Sequence, residues 1–155
     1  MRLFNALCIA VLIAGITSAG FSEEMKRTAT IAETSGEVMI KNAGPGSWAS
    51  AKVGDVLNEG SFLKTGSRAK AVINIDGDSK TAVVDVSERS LVSFETLVKD
   101  SMTGVKKTLL DLSIGQVLIK AEKLDTPDSK FEVKTPTSVV GVRGTKFSVK
   151  VDALK

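Results

Sequence analysis

Side chains able to do acid–base, nucleophilic or metal chemistry are scarce in this chain. It has no histidine and no tyrosine, and its one cysteine, Cys8, sits in an apolar run near the N-terminus. A serine hydrolase with a histidine base is thereby excluded, as is a zinc site built on His or Cys. Carboxylate, lysine and hydroxyl chemistry remain. Asp76, Asp78 and Asp85 flank an Asp-Gly turn and could offer oxygens to calcium. The further oxygens and terminal glutamate of an EF-hand loop are missing, so these residues read better as turn-forming aspartates. Asp111 and Glu122 could be a pair of glycosidase carboxylates, but any chain with 18 acidic residues offers such pairs. The chain is expected to be non-enzymatic, with no catalytic residue, no cofactor and no metal.

Two side chains stand out for recognition instead. Arg143 lies among apolar residues, where its guanidinium must find an acceptor, either a carboxylate or backbone carbonyls inside the fold or a group on a partner. Tying a turn to the core is the better reading. Trp48, the only tryptophan, lies beside the Gly44-Pro45-Gly46 loop. It is a candidate interaction residue for sugars or proteins, although low aromatic content favours a place in the core. Lys41, Lys52 and Lys64 read as exterior strand or turn residues.

The elements that must position these groups are strands. Pro136 holds Thr135 extended, Val139, Val140 and Val142 favour a buried strand, and Gly141 and Gly144 permit a bulge or tight turn. Phe147, Val149 and Val151 then alternate with Lys146, Ser148 and Lys150, the period of a half-buried strand. Strand signals recur from Gly36 onward, at Glu37 to Lys41, Ser47 to Ala51, Asp55 to Leu57, Phe62 to Lys64, Lys70 to Asp76, Thr81 to Val86 and Leu91 to Leu97. They continue at Thr108 to Leu112, Gln116 to Glu122, Phe131 to Lys134, Val139 to Val142 and Lys146 to Val151. Asp76-Gly77 and Met102-Thr-Gly104 mark hairpins, while Gly44-Pro45-Gly46 and Thr126-Pro127-Asp128 mark loops. Gly36-Glu-Val-Met-Ile-Lys41 echoes Gly115-Gln-Val-Leu-Ile-Lys120, either as a repeated structural rung or as two ordinary glycine-led strands.

With 155 residues the chain suits one domain with one core. Residues 1–22 have Arg2 near the start, an apolar run from Ala6 to Ile16, and small residues Thr17 to Gly20, the build of a signal peptide. The run falls short of the about 20 residues of a spanning helix, so a leader cleaved after Ala19 or Ser22 is expected rather than an anchor. Cys8 would leave with it, and Asn5-Ala-Leu-Cys8 does not fit a lipid-modification site. Residues 23–35 read as a linker, polar from Glu23 to Thr30, and a first strand near Ile31, and residues 36–152 as the β domain. A net charge of +3, from 21 basic and 18 acidic residues with interleaved signs, gives no reason to expect nucleic acid as a partner.

The ordered set Thr135-Pro136 and Arg143-Gly144-Thr145-x-Phe147 resembles the end of the FecR-type domain, a bacterial envelope module. Gly54-Asp-Val-Leu57, Gly60-Ser-Phe-Leu63, Thr65-Gly66, Ala69 to Gly77 and Leu110 to Val117 match its earlier pattern, so the resemblance covers roughly residues 36 to 151. Well-known members of that family are membrane-spanning regulators with a cytoplasmic anti-sigma region, one transmembrane helix and this β domain outside. Here no cytoplasmic region precedes the apolar stretch, and the expectation is a stand-alone exported FecR domain.

The expected fold class is therefore all-β: a two-layer β-sandwich or short β-solenoid-like domain of about ten to twelve short strands behind a signal peptide. The expected location is the periplasm or the cell surface. The expected function is an interaction or ligand-sensing module with an envelope protein partner, in a signalling setting or outside one, and with no stable membrane span after leader cleavage. A carbohydrate-binding or cell-wall-binding β module is the alternative, with a glycan as partner. The candidate surfaces are the loop around Trp48 and the last strand, Lys146 to Val151.

Overall fold

The computed structural model describes residues 23–77, 81–124, 126–142, 144 and 146–152; the expected signal peptide lies outside them. Among the described residues the secondary structure is thirteen β-strands and no helix, so none is long and apolar enough to cross a membrane. In chain order the strands are β1 (Glu24–Lys26), β2 (Ala29–Ser35), β3 (Val38–Lys41), β4 (Ala49–Ser50), β5 (Val56–Leu57), β6 (Phe62–Thr65) and β7 (Lys70–Ile75). They continue as β8 (Ala82–Val86), β9 (Leu91–Asp100), β10 (Lys106–Ala121), β11 (Lys130–Lys134), β12 (Val139–Val142) and β13 (Lys146–Val151).

Alternation along the strands builds the core. In β7, Ala71, Ile73 and Ile75 are buried while Lys70 is exposed, and in β8 Ala82, Val84 and Val86 are buried. Because successive side chains point to opposite faces, each such strand offers one apolar row. These rows and those of β6, β9, β10 and β11 meet in one cluster around Phe94, Phe131, Ile73, Leu112 and Ile119.

One layer runs β4-β3-β6-β9-β10-β11-β12 and the other β5-β2-β7-β8-β10-β13. The strand common to both is β10. Its first half pairs with β9 and β11, its second half with β8 and β13. The sequence reading divides this stretch into two strands, Thr108 to Leu112 and Gln116 to Glu122. The chain instead continues through Ser113, Ile114 and Gly115, with a register shift between Leu112 and Ile114 and φ of 98° at Gly115. A bulge bends a strand without ending it, so β10 changes layers while keeping its ladder. The β10–β11 pairing is parallel, and the second half of β10 begins the crossover that parallel pairing needs.

The echoed glycines mark one wall of the sandwich. Gly36, φ 72°, turns the chain from β2 into β3, and Gly115 turns β10, each a passage between layers. Gly36 rests against Ala69 and Gly115 against Ser90, and a Cβ on either would meet backbone at 2.9 Å and 2.5 Å respectively. Each contacted residue follows an arginine at positive φ, Arg68 at 57° and Arg89 at 53°. Hydrogen bonds from Gly66 N–H to the Glu37 carbonyl and from Arg89 N–H to the Gly66 carbonyl bind neighbouring corners together. The two echoed segments, Gly36 to Lys41 and Gly115 to Lys120, therefore each begin at a corner between the layers.

The stretch Glu23 to Thr30, expected from its polarity to be a linker, is built into the fold. It contains β1, paired with the end of β9, and Arg27, which is buried, so it is not a free linker. The register explains this: Arg27 is in phase with the inward-facing Ala29 and Ile31.

Candidate functional site

The C-terminal motif first builds a hairpin. Between β11 and β12 the Thr135 N–H donates to the Ser138 carbonyl at 2.8 Å, and the Ser138 N–H donates to Thr135 Oγ1 at 3.1 Å. Buried Thr135 therefore closes the turn that contains exposed Pro136. Phe147 packs half-buried against the core opposite Ile119, and Gly144 takes φ 62° beside Lys123. Arg143 and Thr145 lie outside the described residues. The motif residues that are described shape the end of the sandwich.

That end presents two strand edges. Among the described residues β12 pairs only with β11, and β13 pairs only with β10. Along β13, Lys146, Ser148 and Lys150 face outward, while Val149 is buried and Phe147 and Val151 are half-buried against the core. A cleft of about 490 Å³ opens beside β13, walled by Ile114, Thr135, Pro136, Val149 and Val151. Beside β12 is a smaller hollow of about 330 Å³, with Pro127, Phe131, Gly141 and Val142 in its wall.

Trp48 is on the surface, 38% exposed, and does not fill the core. Its ring meets Phe62 edge-on at 6.5 Å between centroids, and Phe62 is 37% exposed. Two aromatic rings thus share a patch on the outside of the first layer, with Lys41 paired opposite Phe62. Phe62 faces outward because its neighbour Leu63 takes the buried phase of β6.

The sequence reading misses the most developed polar cluster. Arg27 donates from Nε to Asp76 Oδ1 and from Nη2 to Oδ2, both at 2.7 Å. Its Nη1 reaches the Val98 carbonyl, the Lys107 carbonyl and Thr108 Oγ1. Thr81 Oγ1 donates to Asp76 Oδ2, and Lys106 Nζ lies 3.6 Å from the same oxygen. Burial alone would raise the Asp76 pKa, but hydrogen bonds from Arg27 and Thr81 and the charges of Arg27 and Lys106 outweigh it. The net effect holds Asp76 below the ordinary carboxylate value. The signal available in sequence was Arg27 in phase with Ala29 and Ile31.

The described carboxylate candidates lie apart from one another, each with its own partners. Asp76 sits at the turn after β7 with φ 67°, as a turn-former does, and its oxygens are engaged by Arg27, Thr81 and Lys106. Asp85 is ion-paired with Lys120, and Asp78 lies outside the described residues. Asp111 is ion-paired with Lys134 in the first layer. Glu122 follows the second-layer half of the same strand, about 25 Å away at the usual strand rise once the bend at Gly115 is allowed for. That exceeds the spacing at which two carboxylates flank one glycosidic bond.

A family model described as FecR protein matches residues 61–154. The chain belongs to the FecR family. The FecR match runs from the start of β6 through β13 and includes the Thr135 hairpin and both free edges. Strands β1 to β5 precede the matched residues and nevertheless contribute Ala29, Ile31, Val38, Ile40 and Leu57 to the same core. FecR membership supports an envelope-related signalling or regulatory role. No curated protein and no solved structure matches the chain significantly.

Proposed function

We propose that this FecR chain is an exported, non-enzymatic module of the bacterial envelope that captures an extended segment of another envelope protein along β13. The observation that carries the reading is the chemistry of that edge. Its backbone is unpaired on the outer side among the described residues, its inward face leaves Phe147 and Val151 half-buried, and its outward face carries Lys146 and Lys150. An added strand alternating apolar and acidic residues would cover the first pair and neutralise the second, with main-chain bonds supplying affinity. The adjoining 490 Å³ cleft gives a side chain of that strand an apolar seat.

The test is co-purification of the tagged full-length chain from sealed envelope fractions, with the mass of the N-terminus read from the same sample. A cleaved leader and a specific retained protein, lost when Lys146→Glu and Lys150→Glu are combined, support the reading. Retention unaffected by that double substitution would refute β13 as the docking edge.

A second reading rests on the Trp48–Phe62 patch, which could hold a sugar ring against an exposed aromatic face. Trp48 is the only tryptophan, so its fluorescence reports binding of cell-wall or surface glycan fragments directly. A saturable change abolished by Phe62→Ala would move the glycan reading ahead.

A further inference from the structure

Sheet edges are usually protected by brevity, charge, proline or bulges, because an open row of backbone groups pairs with any available strand. Most edges here follow that rule. Strands β4 and β5 are two residues long, β1 is three residues with Glu24 and Lys26, and β13 carries Lys146 and Lys150. The sequence of β12 is Val139-Val140-Gly141-Val142, with no charge and no proline, and its outer edge has no partner among the described residues.

The same strand carries a projection and a matching notch. Val139 is 59% exposed and stands opposite Lys134, while Gly141 stands opposite Glu132 on the same face. A Cβ on Gly141 would meet nothing within 4 Å, and the 330 Å³ hollow adjoins it. We infer that β12 is a self-association edge, on which a second copy of this chain pairs antiparallel about a two-fold axis at Val140.

Symmetry selects that register. Directly opposed residues of an antiparallel pair share a face, so pairing about Val140 sets Val139 of each copy opposite Gly141 of the other. Each exposed valine then enters the other copy's notch. Charge does not oppose it: Lys134, paired with Asp111 in its own copy, and Glu132 of the second copy are opposite in sign and about 14 Å apart in the same cross-strand row. The equivalent arrangement of β13 would set Lys146 opposite Lys150 of the second copy, and like charges directly opposed are destabilising. Four paired residues cover less than the about 1,200 Å² of a standard stable interface, so the dimer is weak and concentration-dependent.

The test uses purified full-length chain carrying Cys8→Ser, in sedimentation equilibrium over a wide concentration range and in disulfide trapping. The expected result is a reversible monomer–dimer equilibrium. Val139→Asp and Gly141→Val should each remove the dimer at least tenfold in association constant with an unchanged thermal midpoint, since Gly141 has open space and no positive φ. A single Val140→Cys should form an intermolecular disulfide at least tenfold faster than a single Ser148→Cys on β13, because pairing at Val140 puts its Cα atoms within bridging range. A chain that stays monomeric, a dimer indifferent to both β12 substitutions, or equal trapping at the two cysteines would overturn the inference. Self-association is read without any partner, so its failure leaves the β13 reading standing.

Discussion

Arg27 and Asp76, 49 residues apart in sequence, form a two-pronged ion pair at 2.7 Å that joins the two layers. Arg27 lies between β1 of the first layer and β2 of the second, and Asp76 at the tip of the β7–β8 hairpin. Through the Val98 and Lys107 carbonyls and Thr108 the same guanidinium also holds β9 and β10. It clasps the wall opposite the glycine corners.

Replacing Asp76 by Asn keeps the turn, since Asn tolerates positive φ, and removes the charge that Arg27 faces. The expected loss is about 3 kcal/mol, measured by urea unfolding, because the arginine stays buried without its counter-charge. Adding Arg27→Met should cost less than the sum of the two single changes, which a double-mutant cycle reads directly.

The pH dependence follows from the lowered pKa of Asp76. In the unfolded chain Asp76 takes up its proton near its ordinary value of 3.8, and in the folded protein only at lower pH. Acid therefore favours the unfolded state. The contribution of this carboxylate is complete above that value and disappears as pH falls through the folded pKa. Unfolding midpoints of wild type and Asp76→Asn should converge on acidification below about pH 4.

Gly115→Ala should destabilise by about 3 kcal/mol or more, since its Cβ would lie 2.1 Å from Ser90 Oγ and 2.5 Å from Ser90 Cα at a positive φ. Gly141→Ala should change stability by less than about 0.5 kcal/mol, because nothing occupies the space. Equal effects at the two glycines in chemical denaturation would contradict the corner described for β10.

Phe94, fully buried between the layers, should cost about 3 to 5 kcal/mol when cut to alanine. Trp48→Ala should cost about 1 kcal/mol or less, in keeping with a surface ring that has one edge contact. Thermal unfolding of both variants separates core from surface aromatic residues.

The residues whose environment depends on their immediate neighbours were legible in the chain. The period of two located β7, β8, β11 and β13 to within a residue or two, and Asp76-Gly77 and Met102-Thr-Gly104 do turn β7 toward β8 and β9 into β10. The valines located β12 but not its burial, since as an edge strand it buries Val142 and leaves Val139 exposed. Thr135 and Pro136 were recognisable as a motif, though not as the closure of a hairpin. For Trp48 the sequence favours the core over a surface contact and the structure puts it at the surface, because composition does not say which face of a loop meets Phe62.

By itself the sequence determined the β class, most strand positions and the FecR pattern, since alternation and turn chemistry act over a few bonds. Only the tertiary structure decided that Arg27 meets Asp76, that one strand serves both layers, and that β12 and β13 have open edges among the described residues. Those outcomes depend on which distant segments lie side by side once the chain closes on its core. A guanidinium in a polar stretch looks solvated until the fold brings a carboxylate to it.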